Sequence, residues 1–158
     1  MPGKHRVKRL ADVPPIGVDA MGARADAAAD PAILRLENLD TDLRPPQAAL
    51  DASIAAIADD DANSYLPFLG QAALREAVAG HMASLSGMTY DPEAECIITA
   101  GGLNGVMVTL NALIDGGDEV VVTDPTYIGM LNRIRIAGGK PVQVPFRWQA
   151  DAWQLDLD

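Results

Sequence analysis

The sequence predicts an α/β fold from the order of its apolar runs and glycine turns. A short buried-strand pattern at Cys96–Thr99 leads into Gly-Gly and a helix over about 103–114. The β-branched run Val120–Val122 predicts a parallel strand covered on both faces. A helical pattern over 128–136 and a strand at 141–144 follow. This β-α-β-α-β order is typical of a right-handed α/β unit, and Trp153–Asp158 resembles the lead-in to another helix.

Residues 91–158 form this α/β segment, and two further segments are predicted before it. Residues 1–33 lack sustained periodicity and are interpreted as an N-terminal arm or leader. Residues 34–90 predict helices, the first starting at Pro45-Pro46 and running through Ile57. The second is expected over Ala72–Ser84, closed by a glycine at position 87.

Length, charge and cysteine content limit the function classes. The 158 residues suffice for one domain or a piece of a larger one. With 22 acidic against 12 basic residues, the net charge of -10 opposes binding to nucleic acid or to anionic membranes. No apolar run is long enough for a membrane helix, and no secretory signal follows the basic start. Cys96 is the one cysteine, which favours a reducing cytoplasm.

The segment Thr99–Gly105 is the sharpest local signal for chemistry. Its glycines lie between a predicted strand and a helix, where free amides favour a phosphate, although such glycines also occur where a turn alone requires them. A P-loop is excluded because no lysine lies between Arg9 and Gly139. A dinucleotide fingerprint fits poorly because Leu103 replaces its second glycine, yet Asp124 after the next strand keeps that alternative open.

Two tyrosines are candidate ligand contacts. Tyr127 follows Asp124-Pro125-Thr126 at the carboxyl end of the second strand, where an aromatic side chain can lie against a bound ring or simply cover its helix. Tyr65 precedes Leu66-Pro67-Phe68-Leu69-Gly70, and its hydroxyl can reach a phosphate or serve in packing. No cluster of His and Cys indicates a metal site.

Together these pieces resemble the class I/II aminotransferases, which are fold-type I enzymes that use pyridoxal 5'-phosphate. The resemblance spans about residues 34–158. It rests on four patterns in the family's order and spacing: Ser64-Tyr65-x-x-x-x-Gly70-x-x-x-Leu74-Arg75-Glu76-Ala77, Ile98-Thr99-Ala100-Gly101-Gly102, Asp115-Gly116-Gly117-Asp118-Glu119-Val120 and Asp124-Pro125-Thr126-Tyr127. The implied fold is the first half of a large cofactor-binding domain with an incomplete sheet.

The resemblance also implies roles for single residues. Gly102 and Leu103 would give amides to the cofactor phosphate, Gly101 would allow the close approach, and Tyr127 would stack on the pyridine ring. Tyr65 would reach the phosphate bound by a neighbouring subunit, which implies a homodimer. The loop at Asn38 and Leu39 would lie near the substrate carboxylate, although it departs from the family's Gly-x-Pro pattern.

The implied activity is amino transfer from an amino acid to a 2-oxo acid, which needs a lysine that holds the cofactor as a Schiff base. None of the three lysines, Lys4, Lys8 and Lys140, is suited. The resemblance implies that this lysine comes after Asp158, so the chain is expected to be an inactive fragment. The resemblance also implies that the strand at Cys96–Thr99 lacks its neighbours. A lyase or decarboxylase with the same cofactor and a non-catalytic truncated product remain alternatives.

Overall fold

The computed structural model describes residues 7–37 and 41–157. The chain divides into two compact units. Unit 1 combines Met1–Glu37 with Ala100–Asp158, and unit 2 is Asn38–Thr99. The predicted boundaries at residues 33 and 90 concern domains of the complete fold and stay predictions.

Unit 2 contains two helices that the sequence predicts. Helix α2 spans Gln47–Ile57, with Pro46 immediately before its first turn, and helix α3 spans Ala72–Ser86. Gly87 ends α3 in the left-handed conformation, with φ of 71°, and its amide donates to the carbonyl of Ala83. The predicted glycine cap is therefore confirmed.

Arg75 ties α3 to the turns beside it. Its side chain is only 4% exposed. The guanidinium donates to the carbonyl oxygens of Gly70 and Pro92 at 3.3 and 2.6 Å, and it pairs with Glu93 at 2.9 Å. Because these partners come from both sides of α3 in the sequence, Arg75 holds the segment after Tyr65 and the segment before Cys96 to one helix.

The predicted strand at Cys96–Thr99 is wrong. These residues belong to no strand, and their backbone is held by a bond from the Ile98 amide to the Leu69 carbonyl at 2.9 Å. A strand needs a neighbour along its length, and the bond to Leu69 is a single approach next to Gly70.

Unit 1 contains the α/β segment and a helix that the sequence does not predict. Helix α1 spans Gly17–Ala28, after a short 3-10 helix at Lys8–Leu10. No residue of α1 is buried, so the absence of apolar periodicity in the arm was a sign of missing packing and not of missing helix. Arg35 pairs with Asp26 of α1 at 2.7 Å.

The remaining elements of unit 1 follow the predicted order. Helix α4 spans Gly102–Leu113, strand β1 spans Glu119–Asp124, helix α5 spans Ile128–Ala137 and strand β2 spans Lys140–Gln149. Strands β1 and β2 are parallel, in register from Glu119 opposite Lys140 to Asp124 opposite Pro145. The α/β class is confirmed for this segment.

The C-terminal expectation is wrong, because Ala152–Leu155 forms strand β3 instead of leading into a helix. Strand β3 pairs antiparallel with β2, which gives the sheet order β1-β2-β3. Ala150 and Asp151 both have positive φ, 49° and 61°, as in the two-residue turns that match the twist of a hairpin. Trp148 and Trp153 lie opposite each other, with ring centroids 5.5 Å apart.

The core of unit 1 lies along α5. Ile134 is 1% exposed, and Leu131 is also buried. Strand β1 differs from the prediction, because residues 119–122 alternate between exposed and half-buried, and Val121 is 68% exposed. One face of β1 is therefore uncovered within the described residues, whereas the run of valines predicted cover on both faces.

Candidate functional site

Helix α4 begins at a pair of glycines, Gly101 before the helix and Gly102 as its first residue. Gly101 precedes the helix with φ of 87° and ψ of 150°. Its carbonyl accepts the first helical bonds, from the amides of Asn104 and Gly105 at 3.1 and 3.2 Å. The amides of Gly102 and Leu103 come before these bonds, so they point along the helix axis toward an incoming anion.

The space around these two glycines is open. A Cβ built on Gly101 or on Gly102 would meet no atom within 4 Å. Gly101 nevertheless needs to be glycine, because a residue with a side chain rarely adopts its backbone angles. The loop thus combines a conformation that glycine allows with open space where a side chain would begin.

The connection from β1 to α5 places Tyr127 at the start of α5. Tyr127 is the residue before the first helical turn, and half of its side chain is exposed. Its ring lies across Gly129, because a Cβ built on Gly129 would collide with Cε1 of the tyrosine and lie 2.9 Å from Cζ. Gly129 is therefore buried beneath the ring that the sequence predicts to contact a ligand.

Arg133 joins the first turns of α4 and α5. Its Nε donates to the carbonyl of Leu103 at 2.8 Å, and one terminal nitrogen donates to the carbonyl of Gly129 at 3.0 Å. The same guanidinium therefore bonds one residue of the glycine loop and the residue beneath the Tyr127 ring. Bonds from a charged donor are stronger than neutral ones, so this bridge fixes the two turns against each other.

A cavity of about 540 Å³ lies beside this bridge in unit 1. Its polar lining comes from both helices, through Asn104, Asn132 and Arg133. Val13 and Ile16 of the N-terminal arm form its other wall. The arm is held there by the buried Asn132, whose amide nitrogen donates to the carbonyl of Pro14 at 3.0 Å.

Within unit 1, the structure brings four of the predicted site residues close to one another. Gly101 and Leu103 line the cavity, and Gly102 lies between them in the chain. Tyr127 does not line the cavity, but its ring lies on Gly129, which does.

The other predicted contacts lie in unit 2 or outside the described residues. Tyr65 belongs to unit 2, where it is 88% exposed and meets Phe68 edge to face at a centroid distance of 6.4 Å. Phe68 is 90% exposed. Asn38 and Leu39 lie outside the described residues.

Lys140 does not belong to the ligand end of the sheet. It pairs with Glu119 at the start of β1, whereas Asp124 and the Tyr127 turn follow the end of the same strand. Five residues of strand separate the two ends, which is about 16 Å. Lys140 is therefore out of reach of the loop that follows β1, as the sequence predicts.

Sequence reasoning missed Gly129, Asn132 and Arg133. Gly129 could have been noticed in the sequence, because glycine is unfavourable inside a predicted helix and usually indicates close packing or a functional role. Arg133 and Asn132 could not have been noticed in this way, because a polar residue on an amphipathic helix is ordinarily solvated. Their importance depends on contacts with Leu103 and Pro14, far away in the sequence.

Comparison with known proteins places the chain in a family. The profile of aminotransferase class I and II matches residues 34–158. This chain belongs to the class I and II aminotransferases. An aspartate aminotransferase of Geobacillus stearothermophilus is 32% identical over 87% of this chain and 35% of its own length. A human kynurenine–oxoglutarate transaminase is 31% identical over 82% of this chain and 30% of its own length.

Solved aminotransferase structures share the fold. The N-succinyldiaminopimelate aminotransferase of Mycobacterium tuberculosis superposes on 96% of this chain with a TM-score of 0.80 and 29% identity, which covers 38% of that enzyme. An alanine aminotransferase of Pyrococcus furiosus gives a TM-score of 0.81 at 25% identity. The chain spans about a third of the length of the curated relatives it matches. The fold is therefore that of fold-type I aminotransferases, and the family match favours it over a dinucleotide-binding domain.

The described residues contain neither a cluster of metal-binding side chains nor a helix that could cross a membrane. Within residues 7–37 and 41–157, no group of three or more His, Cys, Asp or Glu side chains is arranged to hold a metal ion. In the same ranges, no helix has the length and apolar character needed to cross a membrane.

Proposed function

We propose that this chain supplies the phosphate-binding and ring-binding segments of a pyridoxal-phosphate-dependent aminotransferase. The observation that carries the proposal is the bridge from Arg133 to the first turns of α4 and α5, which fixes the glycine loop beside the Tyr127 turn. A phosphate and an aromatic ring joined in one small molecule match these two neighbouring segments.

The glycine loop fits the phosphate of this cofactor. Gly102 and Leu103 would direct their amides to the phosphate oxygens, and Gly101 would leave room for them. The partial positive charge at the start of α4 favours the dianion, which supports the assignment.

Tyr127 fits the ring of the cofactor. Its side chain is half exposed and rests on the backbone of Gly129, so one face of the phenol ring remains available for stacking. When bound, pyridoxal phosphate supplies the electron-withdrawing ring that makes amino-group transfer possible. The residues described above would hold and orient it, and Lys140 has no part in the chemistry.

The substrates are an amino acid and a 2-oxo acid. Relatives named for aspartate and for kynurenine with oxoglutarate support this class, and the aminotransferase names favour transfer over a lyase or decarboxylase reaction. The role of Asn38 and Leu39 near the substrate carboxylate stays a prediction.

The active form is a cytoplasmic homodimer with shared active sites. The exposed pair of Tyr65 and Phe68 supports this arrangement, because two neighbouring aromatic side chains in water favour burial against a partner. Tyr65 would then reach the phosphate bound by the other subunit.

The test uses the protein at the length at which its native source makes it. Titration with pyridoxal phosphate should show saturable binding, and a panel of amino acids with 2-oxoglutarate should yield the corresponding 2-oxo acids. Tyr127→Ala is expected to weaken cofactor binding about three- to tenfold through lost stacking, whereas Tyr127→Phe keeps the ring and the affinity. Saturable binding of NAD that pyridoxal phosphate does not displace would contradict the proposal.

A further inference from the structure

We infer that Arg133 is a positioning residue that sets the distance between the phosphate contact and the ring contact of the cofactor. The inference rests on the proposed function, since it assigns the glycine loop to the phosphate and the Tyr127 turn to the ring. In this inference Arg133 itself contacts neither the phosphate nor the ring of the cofactor. It acts through the carbonyl of Leu103 on one side and the carbonyl of Gly129 on the other.

The geometry favours a bridge over a direct contact with an anion. Nε donates at 2.8 Å to a residue of α4, and a terminal nitrogen donates at 3.0 Å to a residue of α5. Both acceptors are backbone oxygens. The bond to Leu103 links α5 to the backbone of α4, and the bond to Gly129, four residues earlier in α5, fixes the guanidinium on its own helix. The planar guanidinium presents its donors in a fixed fork, which gives it a rigid length that a lysine lacks.

Each acceptor belongs to a residue next to a predicted ligand contact. The Leu103 carbonyl is part of the same residue whose amide is assigned to the phosphate. Gly129 lies directly beneath the Tyr127 ring, so a shift of its backbone moves the surface on which the ring rests. The position of Arg133 therefore determines whether one molecule can meet both contacts at once.

The spacing of the two contacts should affect the affinity for pyridoxal phosphate, because the phosphate and the ring are linked in one molecule. A ligand with two parts gains from both contacts only when their spacing matches its own, as with two linked binding modules. Loosening the bridge should weaken pyridoxal phosphate strongly, because its phosphate and ring have a fixed separation. It should leave inorganic phosphate almost unaffected, because that probe uses the glycine loop alone.

The first arm of the test needs no cofactor. In the protein as its source produces it, Arg133→Met should shift the amide NMR signals of Asn104 and Met130, whose peptide units contain the two accepting carbonyls. Arg135→Met is the matched control. It removes the same charge from the same helix about 200° away around the axis, and its guanidinium meets Asn132 Oδ1 only at the 3.5 Å edge of hydrogen-bond range. The control should leave the Asn104 signal in place.

The second arm measures affinity and ring orientation. Arg133→Met is expected to raise the Kd for pyridoxal phosphate about tenfold and to reduce the circular dichroism band of the bound cofactor. Its effect on the Kd for inorganic phosphate should match that of Arg135→Met. Arg133→Lys keeps the charge but offers one nitrogen in place of two, so it should retain phosphate affinity and lose most of the cofactor affinity.

Several outcomes would overturn the inference. An equal loss of affinity for both probes would make Arg133 a direct ligand of the phosphate. An Asn104 signal that does not shift in Arg133→Met would show that the bridge does not hold Leu103. Unchanged cofactor affinity in Arg133→Lys would show that the bridge does not set the spacing. If Arg133→Met fails to fold, Arg133→Lys alone decides between the outcomes. Shifted signals in a protein that binds no pyridoxal phosphate would refute the proposed function and reduce the bridge to a structural contact.

Discussion

The adjacent glycines at the start of α4 differ in backbone conformation. Gly101 has φ of 87° and ψ of 150°, angles that residues with a side chain rarely adopt, whereas Gly102 is the first residue of the helix. We expect Gly101→Ala to lower the free energy of unfolding by about 1–3 kcal/mol through backbone strain. Gly102→Ala is the control, and we expect a change of no more than about 1 kcal/mol, in the stabilising direction. Urea unfolding of both variants measures the difference, and equal destabilisation would contradict it.

Gly129 determines where the Tyr127 ring can lie. Gly129→Ala places a Cβ where the ring now is, and because half of that side chain is exposed, the ring should move without unfolding the helix. We expect cofactor affinity to fall about three- to tenfold, the value of lost stacking. Gly80→Ala, inside α3 with open space around it, should leave affinity unchanged.

A double variant separates this effect from general damage to the helix. Tyr127→Ala combined with Gly129→Ala should bind pyridoxal phosphate no more weakly than Tyr127→Ala alone, since there is then no ring to displace. Additive losses would show that Gly129 acts on the cofactor without the tyrosine. Titration of the four proteins with the cofactor gives the answer.

At the residue scale, the sequence predicts what depends on neighbours in the chain. The sequence predicts a glycine turn before a helix at Gly101, and the φ of 87° at this residue fits such a turn. The importance of Arg133 follows from a carbonyl 30 residues away, and no local pattern indicates it.

The C-terminal hairpin gives a prediction at the scale of an element. Ala150 has φ of 49°, a conformation that costs an alanine about 1–2 kcal/mol. We expect Ala150→Gly to stabilise the hairpin by about 0.5–1 kcal/mol after the greater entropy loss of glycine is included. Ala152→Gly, two residues along in β3, should destabilise it by a similar amount because glycine weakens strands. Hydrogen exchange of the β2 and β3 amides measures both, and effects of the same sign would contradict the assignment.

The same hairpin shows where element prediction fails. Trp153–Leu157 alternates apolar and polar residues, which fits a strand as well as the lead-in to a helix. The decisive feature is the turn, and Ala150-Asp151 lacks the Asn-Gly or Asp-Gly pair that usually marks it. By contrast, β1 contains a continuous run of valines, and α5 contains a helical pattern that ends at a glycine. The predicted positions of both elements are confirmed.

The whole molecule buries few hydrophobic side chains. Among the described residues, those classed as buried and hydrophobic are Ala79, Leu131 and Ile134. Within the described part of the chain, one face of β1 is uncovered, and the segment at Cys96–Thr99 has no strand beside it. These features agree with a fold that needs further strands. The family resemblance implied the missing neighbours of Cys96–Thr99, whereas the valine run of β1 contains no information on what covers its faces.

The 158-residue chain alone is therefore expected to be partly molten or prone to aggregation. We expect native-like far-UV circular dichroism, weak near-UV dichroism, binding of a hydrophobic dye and a broad thermal transition. The protein as its source produces it is the reference for all four measurements. A sharp two-state transition of the isolated chain, with strong near-UV dichroism, would refute this expectation.

The contact between Pro14 and Asn132 has a consequence for the order of events during synthesis. The two residues are 118 positions apart, so the arm leaves the peptidyl-transferase centre about 6–24 s before its binding partner is made. During that interval all of Asn38–Thr99 is translated, and this unit can begin to fold with the arm still unattached. The wall formed by Val13 and Ile16 thus cannot close until α5 has been synthesised.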